Sequence, residues 1–162
     1  MKNWDQRPIE IRNLFNPAFC AIVLSRALQQ FAEEDPKGMP YSLSLLVLPM
    51  CLHRETREIL KVHNRSYFLK VIERNQQIRV GFGTRVRDFL PYTQEALALL
   101  THFDCLEVSA DGLLNLKADK VRKSINGTDE TKGCQNAAKY LGRQFARISD
   151  RVTIYASMGV RP

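Results

Sequence analysis

The chain has 162 residues, of which 44% are hydrophobic, so it can bury a core in one domain or in two small domains packed together. No run of 18 or more apolar residues occurs and the first residues lack an apolar signal-peptide segment, which leads us to expect a cytoplasmic protein without a membrane span. The formal net charge of +7, concentrated after residue 52, favours an acidic partner or nucleic acid.

The first 52 residues are expected to form an N-terminal helical extension that packs on the rest of the chain. Asn16 is a good N-cap and Pro17 suits the first helical position, which predicts a helix from there to Asp35. Four side chains before this helix are too apolar for a solvated arm, and we expect them to bind the fold or a partner protein: Ile9, Ile11, Leu14 and Phe15.

A second apolar run covers residues 41–52, after a turn at Asp35-Pro36-Lys37-Gly38. Its periodicity does not distinguish a helix from a buried strand. We favour a helix that begins near Ser42, with Pro49 as a kink or a break.

Residues 53–123 are expected to form a winged-helix-like region. Ser66 and Thr93 are suitable N-caps, and Pro91 discourages one helix from running into the next. Three helices are therefore predicted before the wing, over residues 66–75, 78–90 and 93–103.

A β-hairpin is predicted from residues 105–108 and 114–117. The two segments meet at Asp111-Gly112, and both residue types tolerate the positive φ angles of tight hairpin turns. The order of helix, hairpin and basic tail is typical of the end of a winged-helix domain. The alternative is an ordinary α+β hairpin packed on a helix.

Residues 124–162 complete the predicted fold. A polar loop, 124–133, leads to a helix that begins near Thr131 and continues through Ser149. The closing segment, with Val152, Ile154 and Tyr155, favours a strand that joins the wing sheet. The fold class is therefore mainly α with a small β-sheet, in which segments 1–52, 53–123 and 124–162 form one compact unit.

Motifs for catalysis are missing from the sequence. It has no phosphate-binding loop, no dinucleotide fingerprint, no zinc-protease motif and no Gly-x-Ser-x-Gly nucleophile motif. Its four cysteines form no Cys-x-x-Cys pair, and three lie in apolar surroundings typical of a core. We expect no enzyme activity, no catalytic residue, no metal site and no cofactor.

The distribution of charged side chains indicates how the predicted winged-helix region could bind DNA. The helix before it offers Gln94 and Glu95 and no Lys or Arg, which disfavours base readout and suits a protein partner better. The cationic side chains lie outside this helix. They could make sequence-independent contacts with phosphates, or they could simply be solvated surface residues: Lys117, Lys120, Arg122, Lys123, Arg143 and Arg147.

Stretches along nearly the whole chain resemble one protein family. They are RPIEIRNLFNPAFCAIVLSRAL, GMPYSLSLLVLPMCLH, LPYT at residues 90–93 and the closing TIYASMGVRP. Distinctive marks within them include Asn-Pro-Ala-Phe at 16–19 and Gly-Met-Pro at 38–40, and a further mark outside them is Gly142-Arg143 before Phe145-Ala146. The chain resembles the middle component of bacterial three-component ABC systems.

This resemblance implies a non-catalytic accessory subunit. Members are encoded between a large SMC/Rad50-like ABC ATPase and an effector, and such systems, including Lamassu-like ones, are associated with defence against phages and plasmids. The expected partners are therefore that ATPase, the effector and, through the complex, double-stranded DNA. The alternative is a stand-alone winged-helix transcriptional regulator, which sequence-specific DNA binding by the isolated protein would favour.

Overall fold

Seven α-helices and a three-stranded antiparallel sheet make up the described part of the computed structural model, which covers residues 8–9, 15–117 and 119–161. This confirms the expected mainly helical fold with a small sheet. No helix in these ranges is long and apolar enough to cross a membrane. In chain order the elements are α1 (Pro17–Glu34), β1 (Met39–Pro40), α2 (Tyr41–Cys51), α3 (Arg54–Val62), α4 (Phe68–Arg74), α5 (Phe82–His102), β2 (Leu106–Val108), β3 (Leu113–Leu116), α6 (Asp129–Ile148) and α7 (Arg151–Ser157).

The centre of the fold is the contact between α1 and α6, the most extensive contact between any two elements described. Helix α1 begins as predicted, because the Asn16 side chain accepts a hydrogen bond of 2.9 Å from the Ala18 N–H. Where the two helices cross, Gly142 lies so close to Ala27 that a Cβ on the glycine would be 2.1 Å from the Ala27 carbonyl oxygen. The absence of a side chain at Gly142 therefore sets the helix separation.

The core draws side chains from all three predicted segments, from Cys20 in α1 to Met158 after α7. Phe68 and Phe145 meet edge to face with their ring centroids 5.4 Å apart. Ser66 was predicted to cap α4, and this is wrong: Tyr67 occupies the cap position without a side-chain bond. Instead, Gln144 of α6 accepts a bond of 3.0 Å from the Phe68 N–H, so a tertiary contact replaces the local cap.

The predicted division into helices 78–90 and 93–103 is also wrong. A short 3-10 turn covers Gln76–Arg79, Gly81 adopts the left-handed conformation at φ +64° just before α5, and α5 then continues through Pro91. Proline removes one helical N–H donor, but residue Arg87, whose carbonyl would have accepted it, is exposed to solvent. Thr93 is buried inside α5 and does not cap it. Burial of the apolar face thus outweighs the proline penalty.

The predicted hairpin is confirmed. Strands β2 and β3 pair antiparallel, and Gly112 in the turn between them has a φ of +74°. The third strand is β1, which pairs Met39 with Leu114 and gives the sheet order β1-β3-β2. Helix α2, which follows β1 directly, confirms the favoured interpretation of the second apolar run.

The C-terminal segment is a helix, and the prediction of a strand there is wrong. Asp150 caps α7 by accepting bonds of 3.1 Å from the N–H groups of Val152 and Thr153. Ile154 and Tyr155 are buried on the inner face, and the Tyr155 hydroxyl donates to the Ser42 carbonyl at 2.6 Å. The local cap and tertiary burial override the β preference of these residue types.

Candidate functional site

Two of the four cations after the hairpin are engaged by one carboxylate. Lys117 donates a hydrogen bond to Asp104, and the Lys120 ammonium lies 3.8 Å from the other oxygen of the same group. The bond from Lys117 lowers the pKa of the Asp104 carboxyl, and the same bond raises the pKa of Lys117. These two positive charges are therefore partly compensated within the protein.

The segment that carries Arg122 and Lys123 is held on α1 by Arg26. This guanidinium is buried and donates to the carbonyl of Arg122, to the carbonyl of Ser124 at 2.9 Å and to the side chain of Gln135 at 3.1 Å. The side chains of Arg122 and Lys123 remain exposed. The role of Arg26 could not be predicted from the sequence, because an arginine in an apolar helix gives no signal of what it binds.

Arg143 and Arg147 lie one turn apart on α6 but have different surroundings. Arg147 forms two hydrogen bonds with the Glu34 carboxylate, at 3.0 and 3.2 Å. Arg143 instead donates to the Asn64 carbonyl at 3.1 Å, in the connection between α3 and α4. Its charge has no carboxylate within 4.0 Å in the described parts of the chain.

Arg143 lines a groove of about 730 Å³ between α3 and α6, which we call the α3–α6 groove. Its polar lining is mainly positive. Six cationic side chains contribute to it: Arg57, Lys61, Arg65, Lys132, Lys139 and Arg143. Three acidic side chains also line the groove: Glu58, Asp129 and Glu130.

The floor of the α3–α6 groove contains a buried arginine. Arg57 donates to the Cys51 carbonyl at 3.1 Å and forms an ion pair of 2.8 Å with Glu130. Gly133 lies against it: a Cβ at this glycine would be 3.6 Å from the Arg57 side chain. The pairing with Glu130 compensates the Arg57 charge, so the groove's positive character comes from its outer side chains.

Helical spacing carries a signal for this groove that the prediction did not use. Lys132, Asn136, Lys139 and Arg143 are four, three and four residues apart, which places them on one face of a helix. The opposite face carries the buried residues of α6, such as Leu141 and Phe145. The opposing cations, Lys61 and Arg65, could not be assigned to the same place from sequence, because their approach to α6 is a tertiary contact.

Of the four N-terminal residues predicted to bind a partner, the structure describes Phe15 and Ile9. Phe15 stacks on Tyr92 with ring centroids 4.6 Å apart and meets the edge of Phe89 at 5.2 Å. Ile9 is 59% exposed. Ile11 and Leu14 lie outside the described residues.

The two polar residues of α5 that were predicted to bind a partner, Gln94 and Glu95, differ in exposure. Gln94 is exposed, whereas Glu95 is half-buried. Glu95 also lies near enough to Cys20 to contribute to the raised pKa of that thiol.

Three of the four cysteines are buried in the core. Burial raises the pKa of the Cys20 thiol to about 12, and it also raises the pKa values of Cys51 and Cys134. The nucleophilic thiolate is thereby disfavoured at all three. Among the described residues, no group of three or more His, Cys, Asp or Glu side chains could hold a metal ion.

Cys105 should be the first thiol to react with a maleimide in the native protein. It is half-buried, whereas Cys20, Cys51 and Cys134 are buried with raised pKa values. Intact-mass measurement at about pH 8 should find one adduct quickly and all four only in denaturant. Rapid modification of Cys51 by the maleimide in the native protein would contradict the burial of this side chain.

Comparison with known proteins places the chain in a family. No curated protein and no solved structure shows a significant match. The family model described as "ABC-three component (ABC-3C) system Middle Component 3" matches residues 4–162. The match covers the hairpin, the α3–α6 groove and the helices that carry them. The chain therefore belongs to the middle component 3 family of ABC three-component systems.

Proposed function

We propose that this chain is a non-catalytic adaptor subunit that links an SMC/Rad50-like ABC ATPase to an effector in a bacterial anti-phage or anti-plasmid defence complex. The observation that carries the proposal is the family match over residues 4–162, because it concerns a middle component of a multi-component ABC system. The sequence, which carries no phosphate-binding loop, is consistent with nucleotide hydrolysis by another subunit.

The surface proposed for a protein partner combines the N-terminal segment with the exposed side of α5. Phe15 packs against Phe89 and Tyr92, which holds this residue on α5. Ile9 presents a largely exposed apolar side chain, and Gln94 is exposed on α5. An exposed apolar side chain such as Ile9 is removed from water when a partner covers it, which favours the complex.

DNA contact in the proposed complex is independent of base sequence. From Asp88 to His102, the part of α5 that leads to the hairpin contains no Lys or Arg. A helix without these donors is poorly suited to read base edges in the major groove. This charge pattern argues against the alternative function, a stand-alone winged-helix transcriptional regulator.

Co-purification tests the proposed function. The chain carries an affinity tag and is expressed together with the ABC ATPase and the effector encoded beside it. We expect both proteins to be recovered with the tagged chain after washing at physiological salt. Recovery of the tagged chain alone, together with tight binding to one DNA sequence, would contradict the adaptor function and support a regulator.

Deletion of residues 1–15 is expected to reduce recovery of the partners in the same assay. The deletion removes the Phe15 ring from Phe89 and Tyr92 together with the apolar segment that precedes it. A Val152→Ala variant is the control, because it trims an exposed apolar side chain on α7. Unchanged recovery and unchanged thermal stability of the deletion variant would rule out this role for the segment.

A further inference from the structure

We propose that the α3–α6 groove binds the phosphate backbone of double-stranded DNA. The inference rests on the proposed adaptor function and gives its DNA contact a location. That location differs from the segment after the hairpin, where most of the predicted phosphate contacts lie. We call this segment the hairpin tail, and its cations are Lys117, Lys120, Arg122 and Lys123. The two places are distinguished by how far their cations are already compensated within the chain.

Cations in the groove are less compensated than those of the tail. Within the described ranges, no carboxylate lies within 4.0 Å of the charged groups of Arg65, Lys132 or Lys139. In the tail, by contrast, Lys117 and Lys120 share the Asp104 carboxylate. Arg122 and Lys123 are the tail cations without a carboxylate partner in the described ranges, against four such cations in the groove. An uncompensated cation releases more free energy on meeting a phosphate, because it breaks no existing ion pair.

One end of the groove is positioned in advance. The Arg143 guanidinium is held by the Asn64 carbonyl, and the Tyr140 hydroxyl donates to the Ser66 carbonyl at 3.0 Å. Both contacts fix the connection that carries Arg65 against α6. Asp129 lies at the other end of α6, at its first turn, so the end near Arg143 is the more favourable for an anion.

The length of the cationic row fits an extended polyanion better than a small anion. From Lys132 to Arg143 is eleven residues, which is about 16 Å along a helix at 1.5 Å per residue. Duplex DNA presents one phosphate charge per roughly 1.7 Å of axis, or about nine charges over that length. A single phosphate would meet only one end of this row.

The composition of the groove favours nucleic acid over an acidic protein segment. Leu60, Ala137 and Tyr140 line it but are buried themselves, so they offer little apolar surface to a ligand. The cores of protein–protein interfaces are depleted in charge and need apolar or aromatic anchors. Protein–DNA interfaces are more polar and much more positively charged.

The test is a salt titration of duplex binding by the 162-residue chain. The probe is a fluorescent duplex of about 30 base pairs and mixed sequence, titrated from roughly 50 to 300 mM salt. In the groove variant, Arg65→Gln and Lys139→Gln are combined, since neither side chain has a carboxylate partner in the described structure. The tail variant combines Lys117→Gln with Lys120→Gln, the two cations that share the Asp104 carboxylate, and changes the charge equally.

The groove variant should reduce the log–log salt slope by about 1.8, since each lost phosphate contact removes about 0.9. The tail variant should leave the slope unchanged. Glu58→Gln, which frees Lys61 from a carboxylate 4.0 Å away, should tighten binding. Misfolding could not produce that gain.

Four outcomes would overturn the inference. Three of them are an unchanged slope in the groove variant, loss of slope only in the tail variant, and loss of ATPase recovery rather than DNA binding when the groove is changed. The last outcome would assign the groove to a protein partner. Intact recovery of the ATPase and effector with no DNA binding by wild type would refute the groove while leaving the adaptor function standing.

Discussion

Gly142→Ala is expected to destabilise the protein by about 3 kcal/mol or more, which is the upper part of the range for overpacked cores. The added Cβ would lie 2.1 Å from the Ala27 carbonyl oxygen and 3.0 Å from the Ala27 Cα. These are backbone atoms in the middle of α1, so relief requires the two central helices to separate. In an unhindered helix the same change would stabilise by up to about 1 kcal/mol.

Thermal unfolding followed by circular dichroism measures this effect. At about 2–4 °C per kcal/mol for a chain of this size, the melting temperature should fall by roughly 6–12 °C. Gly133→Ala is the matched control in the same helix, because its Cβ would be in ordinary contact, 3.6 Å from the Arg57 side chain. Equal melting temperatures for the two variants would show that α1 and α6 do not approach as closely as described.

Arg26→Met should release the segment after the hairpin from α1. The buried guanidinium makes hydrogen bonds to two main-chain carbonyls, of Arg122 and Ser124, and to the side chains of Gln29 and Gln135. Methionine keeps much of the apolar stem but leaves these acceptors without their donor, at a cost of about 1–3 kcal/mol. A local loss of about 2 kcal/mol corresponds to roughly 30-fold more frequent opening of the segment.

Limited digestion with trypsin detects that opening, because the segment contains cleavage sites at Lys120, Arg122 and Lys123. Cleavage there should accelerate by a factor of about ten or more in the Arg26→Met variant. Arg147→Met is the control, since that side chain is exposed and its ion pair with Glu34 lies on the surface. Equally slow cleavage in both variants would mean that Arg26 does not hold the segment.

Local chemistry was sufficient to predict the elements whose ends are set by their own residues. Asn16 and Pro17 mark the start of α1, and Gly112 marks the hairpin turn with its positive φ. In each case the signal and the structure it determines lie within a few residues of each other. The mainly helical fold class could be predicted for the same reason.

Tertiary contacts explain the elements that could not be predicted. Pro91 lies inside α5 because the apolar face on both sides of it is buried. Ile154 and Tyr155 belong to a helix because Asp150 caps it and the Tyr155 hydroxyl reaches Ser42. The Asp150 cap is a local signal that could be read from the sequence, whereas the burial of α5 and the contact between Tyr155 and Ser42 are not visible in local propensity.

In the candidate site, too, local signals could be read from the sequence and tertiary contacts could not. Arg143 was predicted to be available for phosphate contact, but its companions Lys132 and Lys139 were not, although their helical spacing was readable. Arg65 reaches the groove only through the packing of α3 and α4 against α6. Arg26 shows the converse: a cation that sequence charge counts as available is consumed by hydrogen bonds inside the fold.

Reconstitution from three purified proteins tests the adaptor function most directly. The ABC ATPase, the effector and this chain are mixed in pairs and all together, and the masses of the complexes are measured by light scattering after gel filtration. The proposed function predicts that the ATPase and the effector elute in one complex only when this chain is present. A complex of ATPase and effector that forms equally well without this chain would contradict it.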